Sequence, residues 1–164
     1  MKITDLKPTI VWKFFHQVTQ VPRPSKKGRQ NDWIPRIIRE RVQNSYQERW
    51  SRQPFNVKAC HSGNGGSSGS RIAVSHGYGL RENNGTKHDF DNDPIETIVD
   101  GEWLRANGTT LGADNGIGVA AELALLASDD IQHGPIECLF TVDEETGLTG
   151  AKALKEGLMP EISC

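Results

Sequence analysis

At 164 residues the chain has the length of one ordinary domain, yet only 35% of it is hydrophobic and its mean hydropathy is -0.55. A core must come from two apolar blocks, 9–18 and 103–142, with little from 24–88. A formal charge of -2 leaves no basic footprint for nucleic acid and no polybasic patch for a membrane surface, and no apolar run reaches the length of a membrane span.

The N-terminal MKITDLKPTIVWKFF has neither the apolar centre nor the cleavage site of an export signal. Cys60, Cys138 and Cys164 are widely spaced and form no CxxC, so neither a zinc knuckle nor a disulfide framework is indicated. A cytoplasmic protein is the default expectation. The sequons at Asn84 and Asn107 would carry glycans only on a secreted chain.

Pro8 suits a first helical turn, and Ile10, Val11, Phe14, Phe15 and Val18 then recur on one helical face. This helix should end before VPRPS, where Pro22 and Pro24 hold their predecessors extended. From 25 to 82 no period is sustained, and HSGNGGSSGS reads as linker. So long a structureless stretch is unusual inside one domain.

Order returns at ETIVDGEWLRA, a hairpin with strand-forming residues on either side of Asp100-Gly101. GTTLGADNGIGVAAELALLAS is a glycine-rich loop feeding a helix over 116–127, with Val119, Leu123, Leu125 and Leu126 apolar. HGP at 133–135 is a turn, IECLFTV over 136–142 a buried strand, and another helix starts near Gly150. Helices alternating with strands imply an α/β sheet.

In such sheets ligands gather at the carboxyl ends of strands, where both acidic loops fall. Asp114 precedes a helix, while Glu144 and Glu145 close the strand IECLFTV. Adjacent carboxylates repel unless a cation or proton compensates. A divalent metal would do so, with one carboxylate as ligand and its neighbour as general base on a metal-bound water. The plainer alternative is a solvated acidic turn and a helix N-cap at Asp114. A phosphate-cradling loop in GADNGIG matches neither GxGxxG nor the Walker pattern. His88 and His133 have no partner at ligand spacing and read as turn residues.

KHDFDNDPIETIVDGEWLRANGTTLGADNGIGVAAELALL and HGPIECLFTVDEETGLTGAKAL closely resemble one family. It is the bacterial aminoacyl-histidine dipeptidases (Xaa-His or cytosol non-specific dipeptidases), dinuclear zinc peptidases of the aminoacylase and carboxypeptidase-G group. The motif match covers about Asn83 to Met159, and again Leu6 to Lys27 with WKFFHQVTQVPRPSKK. The resemblance implies part of an α/β, phosphorylase/hydrolase-like zinc-peptidase catalytic domain. It implies two Zn2+ ions bridged by Asp114, with Glu144 as general base and Glu145 on one metal. It also implies a dipeptide substrate, allows a homodimer in the intact form, and suggests no nucleic-acid or membrane partner.

In the middle the chain departs from the family, which carries there a helix, a motif GNxxxxKPATPGME, and SHMDMVCEK. The histidine of that last motif is a metal ligand and its aspartate orients the site. Only Ser75 and His76 survive here, with Tyr78 where the aspartate should stand. A change of reading frame would account for this. Codons exist for VSHGYGLRE that, read one base later, give SHMDMVCEK. The same shift lets KACHSGNG yield KPATPGME, SRQP yield VGNL, and NDWIPRIIRERVQNSYQE yield an amphipathic helix. PEISC likewise permits GNILL, which suits the family after LKEGLM.

The expectation is therefore an N-terminal fragment of a dipeptidase, out of frame and disordered over about 28–82 and frameshifted again after 159. Its site would be under-ligated and the chain inactive. The alternative from another class is a non-catalytic binding or interaction remnant of the same fold.

Overall fold

The computed structural model describes residues 1–22, 34, 37, 46–50, 55–59, 70–76, 83–133, 136–142 and 144–154, with the backbone alone at 46–50, 55–59, 70–76, 142 and 146. A short 3-10 turn, Ile3–Asp5, leads into helix α1, Thr9–Thr19. Pro8 stands just ahead of the helix with extended backbone, not within its first turn. Phe14, Phe15 and Val18 are buried as the period requires, whereas Ile10 is 36% exposed and lies off the buried face. The helix ends ahead of Pro22, and Ile95, itself buried, donates its N–H to the Thr19 carbonyl at 2.9 Å. That bond ties the downstream loop to the end of α1.

Three strands fall in the stretch where the sequence shows no sustained period: β1 (Tyr46–Trp50), β2 (Phe55–Ala59) and β3 (Ser70–His76). At these segments the expectation of an element-free chain is corrected. Ile34 and Ile37 are helical and belong to the buried core. The rest of 23–82 lies outside the described residues.

The hairpin forms from β4 (Thr97–Asp100) and β5 (Trp103–Ala106), antiparallel, with Asp100 opposite Trp103. The turn residues are thus Gly101 and Glu102, and Gly101 has φ +60, a conformation that side chains resist. Helix α2, Ala113–Ala127, follows, then strand β6, Ile136–Val142, and a short helix α3, Thr149–Lys152.

The main sheet has the order β1-β2-β6-β3. Strand β6 is inside it, antiparallel to β2 and parallel to β3. Its residues from Ile136 to Thr141 are buried on both faces, as a continuous apolar run predicts for an internal strand. Ile136, Cys138 and Phe140 join Phe14, Phe15 and Val18 of α1 and Val119, Ala120, Leu123, Ala124 and Leu126 of α2 in one core cluster. The architecture is α/β, with α2 packed between α1 and the sheet.

Candidate active site

The glycine loop before α2 does something specific at its junction with the helix. Gly112 turns the chain with φ 68, and Asp114 and Asn115 then keep non-helical dihedrals (φ -92, ψ 104 and φ -115, ψ 48). Regular helix begins at Gly116, so the N-cap is Asn115. Its Oδ1 accepts the N–H of Gly118 at 3.0 Å, the N-cap to N3 bond that satisfies an orphan donor. The N–H of Gly116 donates to the Gly112 carbonyl at 3.3 Å. Two of the first helical donors are therefore spent internally, which argues against a phosphate cradle.

This corrects the plainer reading of Asp114. It does not cap the helix; the residue after it does. Asp114 is exposed, and among the described residues its carboxylate has no hydrogen-bond or ion-pair partner. An unengaged carboxylate beside a helix N-terminus is favoured by the dipole and left available to a cation.

The second acidic element follows β6. Glu144 opens a 3-10 turn, Glu144–Thr146, and its carbonyl accepts the N–H groups of Gly147 (3.0 Å) and Leu148 (2.9 Å). Gly147 (φ 91) and Leu148 (φ 60) both sit in the left-handed region, closing the turn before α3. Glu144 is half-buried and Glu145 exposed, and neither side chain has a protein partner among the described residues.

The parallel register sets His76, last residue of β3, against Val142, last residue of β6. The backbone thus brings His76 to the same carboxyl edge of the sheet as the acidic turn. Its imidazole and all of Asp143 lie outside the described residues. Among those described, no three His, Cys, Asp or Glu side chains are grouped closely enough to hold a metal. The donors present fit a divalent cation in kind, being hard carboxylate oxygens without competing partners among the described residues. They do not by themselves make a full ligand set.

His88 is not itself a turn residue: it stands in irregular chain just ahead of the turn at 90–92, with its ring against Phe90 at 4.4 Å between centroids. Asp89 organises that turn, accepting from Asp91 N (2.9 Å) and from the Asn92 side chain (2.7 Å).

One group the sequence does not single out is Glu122. It is 2% exposed in the middle of α2, and neither carboxylate oxygen has a hydrogen-bond partner among the described residues. Desolvation pushes its pKa up to about 8, so it is protonated over much of the neutral range. Burial also pushes the Cys138 thiol far up, with Glu122 and then Glu137 adding to the effect. That thiol is an inert core group.

No family model matches the chain. The cytosol non-specific dipeptidase of Escherichia coli is 35% identical over 166 residues, covering 94% of this chain and 32% of that protein. The crystal structure of an aminoacylhistidine dipeptidase from Vibrio alginolyticus superposes with a TM-score of 0.89 at 38% identity, covering 98% of this chain and 33% of that one. The chain is related to the aminoacylhistidine dipeptidases. The likeness extends beyond the two stretches whose motifs carry it in the sequence, and takes in the strands β1 to β3. The chain spans about a third of the length of these dipeptidases. A tripeptidase of Staphylococcus aureus shares the fold, with a TM-score of 0.66 at 20% identity over 93% of this chain and 41% of its own. No described helix is long and apolar enough to cross a membrane.

Proposed function

We propose that this chain carries the carboxylate half of the metal site of a dipeptidase that cleaves Xaa-His and related dipeptides. The observation behind this reading is the free Asp114 carboxylate. Because Asn115 takes the helix cap, Asp114 has no structural task among the described residues. In this reading Asp114 and Glu145 would hold the zinc ions and Glu144 would serve as the general base. His76 is the remaining ligand at the sheet edge. The metals, when bound, supply an acidified water for attack on the peptide carbonyl. A cytosolic location follows the name of the Escherichia coli relative.

Two carboxylates and one histidine are too few for a working dinuclear centre. The chain on its own is therefore proposed to bind zinc weakly and to turn over no dipeptide. The same reading holds that about 28–82 is translated out of frame, since Tyr78 replaces the site-orienting aspartate of the family motif. Calorimetric titration with Zn2+ tests the metal assignment: binding should be lost in Asp114→Ala. An Xaa-His hydrolysis assay tests the inactivity, and turnover that disappears in Glu144→Ala would overturn it. The coding DNA tests the frame; absence of SHMDM from every shifted frame ends that part of the reading.

A further inference from the structure

Asn115 and Gly118 are built as a pair. Among the described residues, the half-buried Asn115 amide is engaged only as acceptor of the Gly118 N–H, at 3.0 Å. A Cβ at position 118 would run into that same amide: its Oδ1 first, then Cγ and Nδ2, both at 2.8 Å. Glycine within a helix is otherwise unfavourable relative to alanine, so its place here has a specific cause. It clears the space in which the amide folds over the helix N-terminus.

Asp114 competes for the same place. Aspartate is as good an N-cap as asparagine, and the helix dipole attracts its charge. Were Asn115 unable to cap, the chain could start its helix one residue earlier, with the Asp114 carboxylate turned back onto the N–H of Ile117. The carboxylate would then be spent on the helix. We infer that Asn115 is a positioning residue for Asp114, which by holding the N-cap keeps the Asp114 carboxylate free for a ligand, with Gly118 as the clearance this requires. The inference rests on the reading of Asp114 as a metal ligand given above.

The test is zinc titration of the full chain, combined with amide hydrogen exchange without metal. Asn115→Ala and Gly118→Ala should each weaken Zn2+ binding by about 10- to 100-fold, the effect expected for a lost supporting partner. Asn115→Asp keeps an acceptor at the same reach and should bind like the parent chain. Asn115→Ala combined with Gly118→Ala should fold as well as Asn115→Ala alone, because the obstacle to a Cβ has gone. In Asn115→Ala, exchange protection should move from the Gly118 amide to the Ile117 amide.

Unchanged zinc affinity in Asn115→Ala, with affinity lost in Asp114→Ala, overturns the positioning role and leaves the ligand reading standing. Unchanged affinity in Asp114→Ala removes the ligand reading instead. The cap exchange is then decided by the amides alone: protection lost at Gly118 without appearing at Ile117 overturns it.

Discussion

Glu122 couples the stability of this fold to pH, and the size of the coupling follows from its burial. In the unfolded chain its carboxyl titrates near 4.5, and in the folded one near 8, because the charged form would sit 2% exposed and without a hydrogen-bond partner among the described residues. Between these values the folded molecule holds a proton that the unfolded chain has released. The contribution is fully present below pH 4.5 and is lost as pH rises through 8. Each pH unit within the window removes about 1.4 kcal/mol, so the whole window is worth roughly 3 to 5 kcal/mol. That is a large part of the 5 to 15 kcal/mol or so by which domains are usually stable. The assay is urea denaturation from pH 5 to 9 of the parent chain and of Glu122→Gln. All other titrating groups are common to both, so the difference in unfolding free energy isolates Glu122. It should move in favour of the glutamine variant by about 1.4 kcal/mol per unit up to pH 8 and then level off. A difference that stays flat across the range would refute the assignment of a neutral buried carboxyl.

Cys138 should resist a thiol reagent in native buffer and react once urea is added, as read by mass of the peptide that contains it, since it is fully buried and its thiol is held protonated. Phe15→Ala should cost about 3 to 5 kcal/mol through the cavity it leaves between α1 and the core, whereas Ile10→Ala, at the helix surface, should stay within roughly 0.5 kcal/mol. Equal losses at the two positions would mean that α1 packs by another face.

Legibility in the sequence tracks how local the determinants are. Helix α1 is readable because its apolar residues repeat within its own length, and the hairpin because Gly101 serves a turn that needs a positive φ. Strand β6 is readable because burial on both faces makes its apolar run nearly continuous. Strands β1 to β3 are different. YQERW has no alternation, and FNVKA and SRIAVSH are short, with Phe55, Val57 and Ala59 or Ile72 and Val74 as their only period. Their pairing with β6, distant in sequence, supplies what local pattern does not. Within α2, the apolar run hides a phase that only packing decides: Leu125 is partly exposed while Glu122 is buried.

The candidate site divides along the same line. The positions of Asp114, Glu144 and Glu145 at strand and helix ends follow from the order of elements, and are legible. Which of two adjacent cap-forming residues takes the helix is not, because aspartate and asparagine have equal intrinsic claims to the N-cap. The choice is made three residues further on, where the missing side chain of Gly118 admits the Asn115 amide. Glycine at 118 reads in the sequence as one of several in a loose loop, yet in the fold it separates a helix cap from a free carboxylate. The apparent redundancy of Asp-Asn in GADNG is thus resolved by the fold: Asn115 completes the helix, and the Asp114 carboxylate is left without a partner among the described residues.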